Sequence, residues 1–208
     1  MARYAGADPG FSGAIALLTE DGCDIDRIYP VKTWNYFSPS ELKKKDPKKR
    51  KSRKMLDNAD LANTFNDLDT GEYPVYLALE NVSARGNDAA ITAWQLGGSF
   101  MAMQQAITTT DIRLIDLNLT LPMKWKSIYP LLHKAGAGNS DVNSRRKVVD
   151  AAAIATVQEV FPNSWQKICP PHKSRKGVFN SPNPNWADAV LLANYAKHVH
   201  QMTTAKVA

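Results

Sequence analysis

The sequence predicts a mixed α/β fold. Its five-stranded sheet has a three-strand antiparallel meander followed by two parallel strands, with helices on both faces. Two observations carry this. The first thirty residues hold three short apolar runs separated by turn residues. After residue 55, strand-like apolar runs alternate with stretches of helical periodicity. The chain has 208 residues, 44% of them hydrophobic, and five Trp, which suits a folded domain with a real core. Residues 1–208 read as a single domain with a basic insertion at about residues 35–54. No internal repeat is found.

The elements follow in order. Residues 4–8 are small and apolar and end in Asp8. The Pro9-Gly10 turn leads through Gly13 to a second apolar run, residues 14–18, giving a hairpin with a carboxylate at the end of its first strand. Residues 24–31 add a third strand after the Glu20-Asp21-Gly22 turn. Residues 55–68 are expected as a helix, with Leu61, Phe65 and Leu68 on one face. Residues 75–79 form an apolar strand that terminates in Glu80. Asp88 is the expected N-cap of a long helix that reaches Ile107. Gly97 and Gly98 inside it predict close packing against another backbone, since each costs about 1 kcal/mol relative to Ala in a helix.

Residues 113–116 are a short strand. Pro122 opens a helix that runs to His133. Residues 135–140 break it, and Asn143 or Ser144 caps the next helix, which Phe161-Pro162 stops. Residues 170–184 are a Pro-, Lys- and Asn-rich loop. Residues 185–200 form the last helix, apolar nearly all round.

Charge is concentrated in one place. The net charge is +6, yet residues 43–54 alone hold nine bases and one acid. Removing that tract from the chain's 26 bases and 20 acids leaves 17 and 19. A near-neutral body with one positive tract points to a polyanion, and nucleic acid is the commonest. The plain alternative is a solvated loop. A membrane surface fits less well, because the tract has no apolar face to insert. No apolar run approaches the roughly 20 residues of a membrane span. The N-terminus has no charged-then-apolar leader. Cys23 and Cys169 are far apart in sequence and read as reduced thiols of a cytoplasmic protein.

Three acids stand out. Asp8 and Glu80 each end an apolar strand, and Asp188 lies in the first turn of the apolar last helix. Read singly, Asp8 caps a turn, Glu80 marks an exit to solvent, and Asp188 favours the helix dipole. Read together, they meet at one edge of the sheet. Their mutual repulsion then calls for a divalent cation, and hard oxygen donors without nearby Cys or His favour Mg²⁺ or Mn²⁺.

Gly6-x-Asp8-Pro9-Gly10 with Ser12-Gly13, then Leu79-Glu80, then the run from Ala187 to Ala193 resemble the motifs of RuvC-type Holliday junction resolvases. The phage-encoded branch is the closer likeness, helped by Pro122, Trp125 and Lys126 and by the helix ending at Phe161-Pro162. The likeness covers about residues 3–197, outside the 35–54 insertion. It implies a ribonuclease H-like fold and a homodimer that nicks four-way DNA junctions symmetrically. It implies two Mg²⁺ ions about 4 Å apart, held by Asp8, Glu80 and Asp188. Lys126 falls near a family lysine that assists phosphate chemistry. Arg145, Arg146 and Lys147 fall near a second basic position.

Two departures are visible. Asn185 stands where the family has an acid or histidine three residues before the last aspartate; its amide remains a candidate ligand. The loop after Glu80 has no aromatic wedge, and Arg85 is its candidate phosphate contact. Candidate backbone-phosphate contacts are Lys43, Lys44, Lys45, Lys48, Lys49, Arg50, Lys51, Arg53 and Lys54 in the insertion, and Lys173, Arg175 and Lys176 in the later loop. Trp94 and Phe100 are expected in the core or at the dimer interface, and Trp125 under the site's edge. Alternatives are a nuclease for flaps, forks or other branched DNA, a non-cleaving junction binder, and an ATP-binding protein of the sugar-kinase or actin type. The last lacks a second phosphate loop and the length for two domains.

Overall fold

Alternating small and apolar side chains make β1 (Arg3–Ala7) a strand buried on both faces. In this computed structural model, the described residues are 2–69, 71–82, 90–136, 142–172, 174 and 177–206. Strands β2 (Ala14–Leu18) and β3 (Ile25–Pro30) complete the meander. β4 (Thr33–Tyr36), α1 (Pro39–Leu42) and β5 (Arg53–Leu56) follow, then α2 (Asn58–Leu68), β6 (Val75–Glu80), α3 (Ala90–Thr109) and β7 (Leu114–Thr120). Helices α4 (Pro122–Lys126), α5 (Pro130–Gly136), α6 (Val142–Val160) and α7 (Pro184–Ala205) end the chain.

The main sheet runs β3-β2-β1-β6-β7. β1 is antiparallel to β2 and parallel to β6, and β7 is parallel to β6. Alternation sorts the side chains. Ala5, Ala7, Ile15 and Leu17 face Leu61, Phe65 and Leu68 of α2 and Met103 of α3. Tyr4, Ala14, Ala16 and Leu18 face α7 and the helices beside it. The expected sheet and its two helical faces are therefore present.

Several elements differ from expectation. The 35–54 insertion belongs to a second, two-stranded sheet in which β4 pairs with β5, Trp34 opposite Met55 and Tyr36 opposite Arg53. Residues 53–56 are thus strand, and α2 begins only after Asp57, whose side chain accepts from the Asp60 N–H. β7 reaches Thr120, four residues further than expected. The helix expected over 122–133 is two helices, because Pro130 lacks an N–H and restarts the chain as the first residue of α5. Gly97 and Gly98 do not pack against a backbone among the described residues: a Cβ at either would meet none of them within 4 Å. Asp88, the 83–87 part of the loop and residues 137–140 lie outside the described residues.

Gly6 is where close packing does occur. A Cβ there would lie 2.2 Å from the Ala193 nitrogen and 2.3 Å from the Ala189 oxygen. The backbone of α7 rests directly on β1, which only glycine on the strand and alanines on the helix permit. Among the described residues, no helix is long and apolar enough to cross a membrane.

Candidate active site and nucleic-acid interface

The contact at Gly6 sets the site. Asp8 lies just past β1, two residues beyond that contact, and Asp188 precedes Ala189 on the helix that presses there. Glu80 ends β6, the parallel neighbour of β1. All three acids therefore gather where β1 and β6 end. Asp188 lies beyond the first turn of α7, which Asn183 caps and Pro184 opens, so the helix-dipole reading of Asp188 does not hold.

Each carboxylate has a protein partner. Asp8 Oδ1 accepts from the Gly10 N–H at 2.9 Å. Gly13 keeps this turn tight, since a Cβ on it would sit 2.2 Å from the Asp8 carbonyl oxygen. Glu80 Oε1 accepts from the Trp125 indole N–H at 3.1 Å. Asp188 Oδ2 accepts from Lys126 Nζ at 2.9 Å. Two adjacent residues of the short helix α4 thus hold two of the three acids. Lys126 Nζ also lies 4.7 Å from the centre of the Trp125 ring.

The electrostatics follow from burial and crowding. Burial raises the Asp8 carboxyl to about 7, with the Glu80 and Asp188 charges adding and the Gly10 N–H and Lys126 opposing. Burial also raises Glu80; the Asp188 charge adds, while Lys126 and the Trp125 hydrogen bond oppose. Asp188 is raised by burial against its Lys126 partner, and Asp150 of α6 contributes further repulsion. Burial pulls the Lys126 ammonium down, but Asp188, Glu80 and Asp8 outweigh it and hold it above its ordinary value. Three crowded acids face one ammonium.

Among the described residues, no three His, Cys, Asp or Glu side chains form a ready ligand set for a metal ion. The partners just named hold one oxygen of each acid. The donor chemistry nonetheless suits a hard divalent cation. Asp188 Oδ1 is buried with no hydrogen-bond partner among the described residues, and one ammonium leaves the acids under-compensated. Asn185 lies in the first turn of α7, its backbone N–H donating to Asn183 Oδ1.

Two residues of the site escaped the sequence reading as partners. Trp125 is fully buried and is the donor to Glu80, which goes beyond packing under the edge. Asp150 faces Asp188 and also pairs with Arg146 at 3.9 Å. An acid one turn after a candidate phosphate-binding Arg was the available signal.

The basic tract has internal order. Glu41 pairs with Lys44 and accepts from the Lys51 N–H, and the Arg50 guanidinium donates to the Lys44 carbonyl. Lys49 lies 4.0 Å from Asp46. Lys43, Lys45, Lys48, Lys51 and Lys54 are exposed, and Arg53 is half-buried. Arg145, Arg146 and Lys147 are exposed in the first half of α6. Arg85, Lys173, Arg175 and Lys176 lie outside the described residues. Trp94 is 51% exposed and is not in the core; Phe100 is half-buried against the α2–α3 face of the sheet.

No protein-family model matches the chain, and no curated protein matches it in sequence. Solved structures do. Thermus thermophilus RuvC in complex with a Holliday junction substrate is 16% identical, with a TM-score of 0.52 and 98% of each chain covered. A second Thermus thermophilus RuvC structure is 17% identical, with a TM-score of 0.51 and 97% of each chain covered. These likenesses bear on the fold and not on the phage-encoded branch. The mixed sheet of this chain, with its acids at the ends of β1 and β6, has the RuvC-like, ribonuclease H-type fold.

Proposed function

We propose that this protein is a divalent-metal-dependent, structure-selective DNA endonuclease that resolves four-way junctions by paired nicks, acting as a homodimer. The observation that carries the reading is the crowding of Asp8, Glu80 and Asp188 around one ammonium, with Asp8 pushed to about 7. The RuvC-like fold supports it, as does the basic hairpin elsewhere on the same chain.

Asp8, Glu80 and Asp188 would hold the metal, Mg²⁺ or Mn²⁺, with Asn185 as an uncharged fourth donor. When bound, the metal neutralises phosphate charge and acidifies water. The residues of the chain do the rest. Lys126 stays protonated, fixes Asp188 and offers a cation to the phosphate being cut. Trp125 fixes the direction of Glu80. Lys43, Lys45, Lys48 and Lys51 meet backbone phosphates without reading sequence, and Lys44, Lys49, Arg50, Arg53 and Lys54 belong to the same field. Arg145, Arg146 and Lys147 on α6 are proposed as further phosphate contacts, together with Arg85, Lys173, Arg175 and Lys176.

The test is cleavage of labelled four-way junctions in Mg²⁺, beside flaps and forks, by wild type, Asp8→Asn and Asp188→Asn. Paired nicks from wild type alone are expected. Preferential cutting of flaps or forks would move the target within the same chemistry. Full activity of Asp8→Asn would overturn the reading. One observation favours a second reading, a junction-binding protein that does not cut: Lys126 already occupies Asp188, and Asn185 brings no charge. That reading expects tight junction binding and no nicks in Mg²⁺ or Mn²⁺.

A further inference from the structure

The β4–β5 hairpin carries more than charge. Trp34 and Tyr36 alternate along β4 and so share one face, with Met55 and Arg53 as their cross-strand neighbours. The Trp34 and Tyr36 rings lie 5.9 Å apart, and Tyr36 lies 6.3 Å from Trp94 at the start of α3. This row of three rings crosses from the hairpin to the helix, yet Trp34 and Trp94 are each about half exposed, at 49% and 51%. Large aromatics left this open in a contiguous row mark a binding surface, because burial in the fold would have been the favourable alternative.

The surroundings say what it binds. All nine bases of the tract follow Tyr36 and reach as far as Lys54, with Lys54 opposite Asn35 and Arg53 opposite Tyr36 on the hairpin itself. A groove of about 630 Å³ runs between β5 and α3, past Lys54, Met55 and Trp94, and is also lined by Phe11. Phe11 lies three residues after Asp8. Gly98 leaves the floor of the groove open. Rings that stack, flanked by cations that neutralise, are the chemistry of single-stranded nucleic acid. A second copy of the chain is disfavoured as occupant, because it would bring two such basic tracts together.

We propose that the hairpin and the start of α3 form a stacking platform for unpaired nucleotides. Bases lie on Trp34, Tyr36 and Trp94, and phosphates meet Arg53, Lys54 and the exposed lysines of the tract. The platform deepens the branched-DNA reading: strands opened at a branch point are held along a groove that leads toward the Asp8 turn. Recognition is tolerant of sequence, since every base has a stacking face.

The test uses the full chain in chelator, so that cutting plays no part. Binding of a fluorescently labelled dT oligonucleotide is followed by anisotropy and by quenching of tryptophan emission, beside a duplex of equal length. Wild type is expected to bind the dT strand with quenching. Trp34→Ala and Trp94→Ala should each weaken it about tenfold, with an unchanged salt slope, and Trp34→Phe should restore most of the affinity. Unchanged dT affinity in Trp34→Ala and Trp94→Ala would overturn the proposal. So would loss of a dimer, seen by sedimentation in those variants without loss of dT binding, since a second copy would then be the occupant. If Trp34→Ala fails to fold, Trp34→Phe and Trp94→Phe decide: wild-type emission unquenched by dT, or quenching in both variants undiminished from wild type, rejects the platform. Junction cleavage in Mg²⁺ is measured separately. Its absence with dT binding intact would remove the nuclease reading and leave the platform.

Discussion

Lys126 donates from Nζ to Asp188 Oδ2 at 2.9 Å, with both side chains largely withdrawn from water. The pair joins α4 to α7 across the site and is the acids' one ion-pair partner among the described residues. Lys126→Met removes the charge and keeps the stem. It leaves Asp188 crowded by Asp150 with no opposing charge among the described residues. The expected cost at neutral pH is about 2 kcal/mol, below the range for fully buried pairs because both groups keep some solvent. Urea unfolding of the two proteins in chelator measures it. Added Mg²⁺ should restore more stability to Lys126→Met than to wild type.

Asp8 links stability to pH in the opposite sense from a salt-bridged acid. Its folded pKa is raised from 3.8 to about 7. The protonated form therefore supports the fold. That contribution is full below the ordinary value and is lost as pH rises through about 7. The loss is on the order of 4 kcal/mol. Without metal, wild type should weaken between pH 4 and pH 8, and Asp8→Asn should weaken much less. Equal pH dependence of the two melting curves would show that Asp8 is not crowded. Cleavage in Mg²⁺ should rise with pH wherever Asp8 must ionise.

Much of this site was legible in the sequence, and the reason is physical. An apolar strand ended by an acid is an unusual pattern, and Asp8 and Glu80 both show it. Asp188 interrupts a run that is otherwise buried from Trp186 to Ala193. What hid was whatever depended on partners distant in sequence. Trp125 reads as a core aromatic, and only the fold brings its N–H to Glu80. The hairpin hid because Arg53-Lys54-Met55-Leu56 looks like the start of the following helix. Its pairing with Thr33–Tyr36 across sixteen residues leaves no local signal. Gly97 and Gly98 misled in the other direction, since an open helix face and a crowded one look alike in sequence.

Gly6 gives a prediction about placement. Gly6→Ala puts a methyl within 2.2 Å of the α7 backbone at Ala193, and neither element is a flexible side chain that can yield. The helix must move off β1, which costs about 3 kcal/mol and carries Asp188 away from Asp8. Thermal melting should show the loss. Cleavage should fall further than the unfolded fraction explains, because the folded remainder holds a misplaced acid.

Trp125→Phe separates packing from hydrogen bonding. The ring is fully buried, so Phe keeps most of the apolar contact while Glu80 loses its donor. The expected cost is about 1–3 kcal/mol, from an acid left less satisfied. The indole N–H opposes the rise in the Glu80 pKa, so its removal pushes that carboxyl higher still. The pH–rate profile should move to higher pH in Trp125→Phe. An unmoved profile with reduced stability would make Trp125 a packing residue only.

The hairpin predicts how binding responds to salt. Lys43, Lys45, Lys48 and Lys51 are exposed and have no ion-pair partner among the described residues, whereas Lys44 and Lys49 already face Glu41 and Asp46. Each lysine that neutralises a DNA phosphate releases counterions and adds about 0.9 to the slope of log affinity against log salt. Changing the four unpaired lysines to Gln should flatten the slope for junction binding by about 3.6. Changing Lys44 and Lys49 should flatten it less, because an acid already occupies part of their charge. Substitution is the right instrument here. Deleting residues 43–54 would also remove Arg53 and Lys54 from β5 and break the pairing that holds Trp34 and Tyr36 in place. An equal slope in the fourfold variant and wild type, with the hairpin still folded, would mean that the tract lies off the DNA and that the field steering it comes from elsewhere, α6 included.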